Sequence, residues 1–373
     1  MKKGLYIAFH DVDPAAGVSQ KILNQVKSFN YNGVEMSLLS YRKKDGVRTA
    51  YIDDDEIAPI YSGIECIIHE IRLYPKLLEY IDNNNVKLLF IRYTQRLDYY
   101  YIQFLKKCKK RGCTILLEIP TYPYDGEFST QSLSHKAQII IERFFRRYLK
   151  KYVSFIVTSS EFDQILGIKT IRISNAVNPL DIKLRSKHSD KNNGKITLIS
   201  VANISFWHGL DRLVKGLFNY YQQPYEKEVH IIIVGGGNKL EINKIKSLVE
   251  ELNLKNYIDY VGPKHGEELD LLYDKADMAV GCMACHRKHI VEVKSLKNVE
   301  YAMRGLPFFY SENNTDFDDK PYVYKVPADD TDIDINGLIG FYNNQRMSAE
   351  DIRKTVTDLS WDNQIRKITE AVI

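Results

Sequence analysis

Nothing in this 373-residue chain approaches 18 consecutive apolar residues, which excludes a conventional membrane-spanning helix. Cysteine is scarce. Five of them, an odd number scattered along a long chain, argue against a disulfide framework and fit a reducing compartment. There is no Gly-x-Ser-x-Gly turn and no phosphate-loop sequence, so serine-triad and Walker-type chemistry have no residues to rest on. Internal repeats and low-complexity tracts are also missing. Met1-Lys2-Lys3 runs into a short strand-like Gly4–Phe9 rather than the longer apolar region of a signal peptide, so a soluble, cytoplasmic chain is expected. Neither sign of charge dominates: the net charge is +4 and the pI about 8.5, short of the strongly basic footprint of a nucleic-acid binder. No nucleic-acid partner is expected.

What the chain does have is bulk and alternation. With 44% apolar residues it can bury two separate cores. Strand-like runs at 5–9, 35–40, 87–91, 114–119 and 154–158 are separated by helical patterns near 18–30, 68–83, 98–111 and 135–152. A second series has strands at 195–201, 229–234, 258–261, 278–281 and 307–310, with helices near 209–222, 239–253, 267–275, 295–304 and 335–346. Such alternation implies an α/β fold with two Rossmann-like, doubly wound parallel sheets. The first domain is expected over 1–176, a linker over 177–194 and the second domain over 195–359, with a helix in 360–373 packing back on the first. Ligands are expected at the carboxyl ends of the strands, in a cleft between the two domains.

Charge is unevenly spread. The first 176 residues hold 26 Lys and Arg against 19 Asp and Glu, and the remainder 26 against 29, giving +7 and −3. Two clusters dominate, Lys106–Arg111 and Arg143–Lys151. The second interleaves Phe144, Phe145 and Tyr148 with its cations. It reads either as a solvated helix face whose aromatics are core, or as an interfacial helix on anionic lipid. An anionic membrane surface is therefore a candidate partner, and the inner face of a membrane a candidate location.

The segment Glu292-Val-Lys-Ser-Leu-Lys-Asn-Val-Glu300 carries the most chemistry. Ser295 suits an N-cap, Leu296–Arg304 reads as helix, and Gly305 and Pro307 are stop signals. The first amides of such a helix point outward at a positive dipole end and suit a phosphate. A carboxylate on either side can accept hydrogen bonds from sugar hydroxyls. Two spaced glutamates would also suit a solvated helix face. A two-carboxylate glycosidase needs both acids at one bond, whereas these flank an anion-attracting helix end.

With Ser295-Leu296-Lys297 between the acids and Glu300-Tyr-x-x-x-Gly305-Leu-Pro307 after, the segment resembles the donor site of retaining glycosyltransferases of the GT-B fold, family-4 type. The resemblance implies that Glu300 holds the nucleoside ribose and Glu292 contacts the transferred sugar. Ser295, Leu296 and Lys297 would meet the diphosphate. The likeness extends to Ile199–Arg212, where relatives carry an Arg and a Lys that grip the diphosphate. Here Ala202 or Asn203 and His208 stand in those places, so His208, Arg212 and Lys297 are expected to neutralise phosphate, with Gly209 beside them. Gly235 and Gly262 fall where the family places further donor contacts. In the first domain Gly17 ends a small-residue turn, Asp13–Gly17, like the family's glycine loop. Thr121, Tyr122 and Tyr124, in a loop with two prolines, are candidate acceptor contacts.

The implied activity is transfer of a sugar, with retention, from a UDP- or GDP-linked donor to a sugar or lipid-linked acceptor. Assembly of a bacterial polysaccharide or glycolipid is the implied setting, with no cofactor or metal. A nucleotide-sugar epimerase of the same fold and a non-catalytic partner subunit are the competing classes. Cys282-Met-Ala-Cys285-His286 matches a haem-attachment pattern, and His289 adds a candidate zinc ligand. Haem attachment would need export, and no second Cys/His group lies at finger spacing, so no metal is expected there.

Overall fold

The computed structural model describes residues 2–12, 17–44, 47–60, 64–94, 96–120, 122–124, 133–186 and 194–373. The chain divides into two units, Met1–Ser174 with Trp361–Ile373, and Asn175–Ser360.

The first unit is built on β1 (Lys2–Asp11), β2 (Val34–Lys44), β3 (Val47–Ile52), β4 (Asp55–Ile60), β5 (Leu88–Arg92), β6 (Thr114–Glu118), β7 (Phe155–Thr158), β8 (Gln164–Ile165) and β9 (Ile168–Arg172). Their order in the sheet is β4-β3-β2-β1-β5-β6-β7-β9-β8. Helices α1 (Gly17–Tyr31), α2 (Ile64–Asn83), α3 (Tyr99–Lys110) and α4 (Leu133–Phe145) connect the parallel strands. The strands from β2 through β9 are parallel, as alternation predicts, but β3, β4 and β8 add antiparallel edges that it does not. The β8–β9 turn places Leu166 and Gly167 at φ +53° and +73°. A leucine at the first of these positions hides a hairpin that is read from Asn-Gly or Asp-Gly. The helical pattern at 135–152 also breaks: α4 ends at Phe145 and the chain tightens into a 3-10 turn over Arg146–Lys151.

The final helix, named α11 below, covers Trp361–Val372 and belongs to this unit. Trp361, Gln364, Ile365 and Ile368 form its buried stripe at helical spacing. Ser28 Oγ donates to Asp362 Oδ1 at 2.5 Å, and Gln364 Oε1 accepts from the Ser174 amide at 2.9 Å.

The second unit holds β10 (Lys195–Val201), β11 (Glu228–Val234), β12 (Ile258–Gly262), β13 (Met278–Val280), β14 (Phe308–Tyr310) and β15 (Val323–Lys325). All are parallel, in the order β12-β11-β10-β13-β14-β15. The helices are α5 (Leu210–Tyr221), α6 (Lys239–Glu251), α7 (Gly266–Lys275), α8 (Leu296–Met303), α9 (Ile335–Asn344) and α10 (Ala349–Lys354), followed by α11 of the first unit. Strands covered on both faces read as unbroken apolar runs. Accordingly Leu198 feeds one core with Leu213, Leu217 and Ile231, while its neighbour Ile199 feeds the opposite core with Val234, Tyr301 and Phe308. At the carboxyl end of β11, Gly235 takes φ +134°, and a Cβ there would lie 1.8 Å from the Ala202 carbonyl oxygen. Only glycine permits that approach.

Candidate functional site

The carboxyl ends of β10, β11, β13 and β14 open into the loops that carry the sequence-predicted residues. After β13 the chain makes a 3-10 turn at Cys285–Lys288 and then runs beside the segment following β14. The Val293 amide donates to Asn313 O at 3.0 Å, and the Asn313 amide to Val291 O at 2.8 Å. These bonds bridge Glu292 to Asn313 and fix the entry into α8. Asn175 Nδ2 adds a 2.5 Å bond to Lys294 O, and Lys294 Nζ pairs with Asp316 at 3.3 Å.

Ser295 occupies the N-cap of α8 with φ −71° and ψ 131°, but its hydroxyl makes no cap bond. The amides of the first turn therefore lack the side-chain acceptor that usually satisfies them. Lys297 lies in this turn. Its Nζ is buried and has no hydrogen-bond partner among the described residues. A buried ammonium without a partner is costly, and an incoming anion would remove that cost. One turn further on, Glu300 Oε1 accepts from Arg304 Nε at 3.1 Å, while Arg304 Nη1 reaches Asp270 at 2.6 Å. The Asp270–Arg304 pair orients Glu300 and leaves its carboxylate with further acceptor capacity.

The other predicted cations are placed differently. Arg212 is only 1% exposed. Its Nε donates to Thr331 O at 2.7 Å, Nη2 to Pro327 O at 3.0 Å, and Nη1 to Met283 O. Three of its donors are engaged by backbone carbonyls and Nη2 also lies 3.6 Å from Asp329 Oδ1, so Arg212 braces the loops around α5. His208 is buried too. Its Nδ1 accepts from the Ser205 amide at 3.0 Å, closing a capping box, and the other side of the ring faces the Cys282 thiol. The His208 and Trp207 carbonyls accept from the amides of Met283 and Ala284, each at 3.2 Å. Gly209, at φ +67°, would place a Cβ 3.0 Å from Met283 Cβ and 3.1 Å from Ala284 Cβ. Gly209 thus permits this loop packing. Asn203 is exposed, the Ile204 amide next to it bonds Gly236 O at 2.7 Å, and Gly262 takes φ +71° with open space around it.

Sequence reasoning missed the buried neighbourhood of Lys297. Cys282, Cys285 and Glu312 place their ligating atoms within 4.8 Å of one another. A hydrogen bond from Cys285, then Lys297 and His208, hold the Cys282 thiol well below its usual range, while burial pushes the Glu312 carboxyl well above its own. The Cys-x-x-Cys spacing was the only trace of this group in the sequence, since Glu312 lies far along the chain. His286 and His289, the ligands that spacing suggested, are not part of it. His286 Nε2 faces Asp330 at 3.2 Å, and His289 is exposed at φ +55°.

In the first unit, Gly17 opens α1 and is exposed, while the Asp13–Ala16 turn and Thr121 lie outside the described residues. Tyr122 is half-buried, its amide donating to Ser160 Oγ at 2.8 Å. Tyr124 is 3% exposed and donates to Glu142 Oε1 at 2.8 Å, which Tyr93 also reaches at 2.5 Å. Tyr124, expected as an acceptor contact, makes a core hydrogen bond here. Glu118 is buried against Lys21 Nζ at 3.1 Å and Arg92 Nη1 at 2.7 Å. On α4 and the turn after it, Ile140, Ile141 and Phe144 are exposed, and the Arg147 guanidinium stacks 4.0 Å from the Phe144 ring centroid. No helix of the described residues is long and apolar enough to cross a membrane.

Two units of this topology, with long loops at the carboxyl ends of parallel strands, define the GT-B class of fold. Solved structures agree. A glycosyltransferase from Rickettsia africae ESF-5 is 14% identical with a TM-score of 0.69, over 99% of this chain and 97% of that one. The N-terminal domain of Candida albicans trehalose-6-phosphate phosphatase is 12% identical with a TM-score of 0.65, over 100% and 96%. The pneumococcal O-GlcNAc transferase GtfA, solved with UDP and GlcNAc, is 12% identical with a TM-score of 0.55, over 90% and 69%. At such identities the likeness speaks for the fold. A search of curated proteins found no match. Residues 181–369, more than half of the chain, match the family described as Glycosyl transferases group 1, and the chain belongs to that family.

Proposed function

We propose that this glycosyltransferase moves a sugar from a UDP- or GDP-linked donor to an acceptor hydroxyl with retention of anomeric configuration. The observation that carries the reading is the start of α8, where uncapped first-turn amides lie beside the buried Lys297 ammonium, which has no hydrogen-bond partner among the described residues. Glu292 and Glu300 flank that helix start in the chain, and such carboxylates recognise diols. In the proposed step the bond between the anomeric carbon and the diphosphate oxygen breaks. The acceptor oxygen bonds to the same face of the sugar, and the acceptor proton passes to the departing phosphate oxygen. The amide dipoles and Lys297 stabilise the charge growing on the leaving group. Removing one preorganised donor of this kind costs about 3–4 kcal/mol of barrier. The scheme needs no divalent cation at the diphosphate.

We assign the acceptor to the sugar or lipid-linked intermediates of polysaccharide or glycolipid assembly, reached from a peripheral position on an anionic membrane. The exposed Ile140, Ile141 and Phe144 among the cations of 143–151 support that part of the reading. A thermal-shift panel of UDP, GDP, ADP and their sugars tests the donor site. One nucleotide at about a hundredfold its Kd should add about 2.7 kcal/mol of stability, and Glu300→Ala should remove the shift. Turnover of a donor sugar with no acceptor present would assign epimerisation instead. No shift with any nucleotide would remove the donor reading altogether.

A further inference from the structure

The register of the second sheet continues past its strand ends. β13 pairs with β14 through Ala279↔Phe308 and Val280↔Phe309. Beyond them the Gly281 amide donates to Phe309 O at 2.8 Å and the Ser311 amide to Cys282 O at 2.9 Å. Cys282 is thereby held alongside Ser311–Glu312, and the 3-10 turn that starts at Cys285 folds the second thiol back toward the first. All three ligating groups are buried, and neither Glu312 oxygen has a hydrogen-bond partner among the described residues.

We propose that Cys282, Cys285 and Glu312 bind a single zinc-class divalent ion that fastens the β13 loop to the segment after β14. A tetrahedral zinc has Zn–S near 2.3 Å and Zn–O near 2.1 Å, which asks for donor atoms about 3.6–3.8 Å apart, inside the observed 4.8 Å limit. Thiolate with carboxylate is the donor set of a borderline metal, not of magnesium or calcium. Glu312 decides between a metal and a redox disulfide. A Cys282–Cys285 disulfide would leave both buried carboxylate oxygens without a partner, whereas an ion satisfies at least one of them. His208 is not the fourth ligand, because its Nδ1 accepts the Ser205 amide and the group of mutually close ligand atoms does not include it. Binding the ion displaces the protons of both thiols and of the carboxyl, and the occupied site carries one net negative charge. The fourth position falls to water or a small anion. The fastening matters to the loop carrying Glu292, whose backbone partner Asn313 adjoins Glu312. The site is separate from any cation at a diphosphate and stands whether or not the donor reading does.

The experiment uses the full chain, purified under reduction, stripped with a chelator and titrated with Co²⁺, then Zn²⁺. The expected result is a thiolate-to-cobalt charge-transfer band saturating at one ion per chain and bleached by Zn²⁺. Zinc should also raise Tm. Glu312→Gln should keep the thiolate band but weaken cobalt binding about tenfold or more. Cys285→Ser should lose most of the band, and Cys108→Ser, in the first unit, should leave it unchanged. The wild-type titration alone suffices if a site variant does not fold. Absence of a charge-transfer band in folded protein, or a Cys282–Cys285 disulfide found by mass spectrometry in protein purified without reductant, would overturn the proposal.

Discussion

Acid should dismantle the first unit through one buried carboxylate. Glu118 is 1% exposed, pairs with Lys21 at 3.1 Å and Arg92 at 2.7 Å, and accepts from Gln25 Nε2 at 3.0 Å. Burial alone would raise its pKa. Lys21, Arg92 and Gln25 outweigh that and hold it at about 2, against an ordinary 4.5. Because the folded value is depressed, the stabilisation is fully present above the unfolded pKa and is lost as pH falls toward about 2. At about 1.4 kcal/mol per unit the gap corresponds to about 3 kcal/mol, of which about 2 should be gone by pH 3. Burial pulls Lys21 down, which opposes the pair, yet Lys21 stays charged throughout this range, so the acid slope belongs to the carboxylate. The chain has two tryptophans, and Lys21 Nζ sits 5.4 Å from the Trp361 ring centroid. Trp207→Phe therefore leaves a single reporter in the first unit. Urea unfolding followed by Trp361 fluorescence between about pH 5 and pH 3 should show the loss in the parent. Glu118→Gln should lack that component and, at neutral pH, lose about 3–5 kcal/mol because Lys21 and Arg92 lose the carboxylate they share. The same acid slope in parent and variant would refute the reasoning.

Arg212→Met should cost about 3–5 kcal/mol by leaving buried carbonyls unpaired, while the folded fraction keeps its nucleotide affinity; a stable variant that loses nucleotide would restore a phosphate role for Arg212. Gly235→Ala should destabilise the second unit by about 3 kcal/mol or more in urea titration, given the 1.8 Å approach to Ala202 O; parental stability would contradict the close contact. Phe144→Ser with Arg147→Glu and Lys150→Glu should cut co-sedimentation with anionic vesicles at low salt by about fivefold per cation, and equal pelleting would remove the membrane surface.

The parallel strands of both units were legible because buried βαβ strands are apolar runs with helical patterns between them. The antiparallel edges were not. β3 and β4 straddle an acidic turn at Asp53–Asp55 that reads as loop, and β8 is two residues long. At the site, α8 and its flanking acids were readable from cap, spacing and stop signals. The fate of Arg212 and Tyr124 was not, since a charged or hydroxylated side chain near a strand end looks the same whether it faces a ligand or a neighbour's backbone. Only the fold supplies Thr331, Pro327 and Met283 as acceptors for Arg212, and Glu142 for Tyr124. Glu312 is the clearest case of what sequence withholds: the register of β13 and β14 sets it beside Cys282, and no local pattern announces it.

Amide hydrogen exchange at the first turn of α8, with nucleoside diphosphate and with the matching nucleoside, tests the donor site most directly. The diphosphate should slow exchange at Leu296 and Lys297 while the nucleoside leaves both unchanged. Nucleotide binding that protects other segments and leaves these two amides exchanging freely would contradict the account.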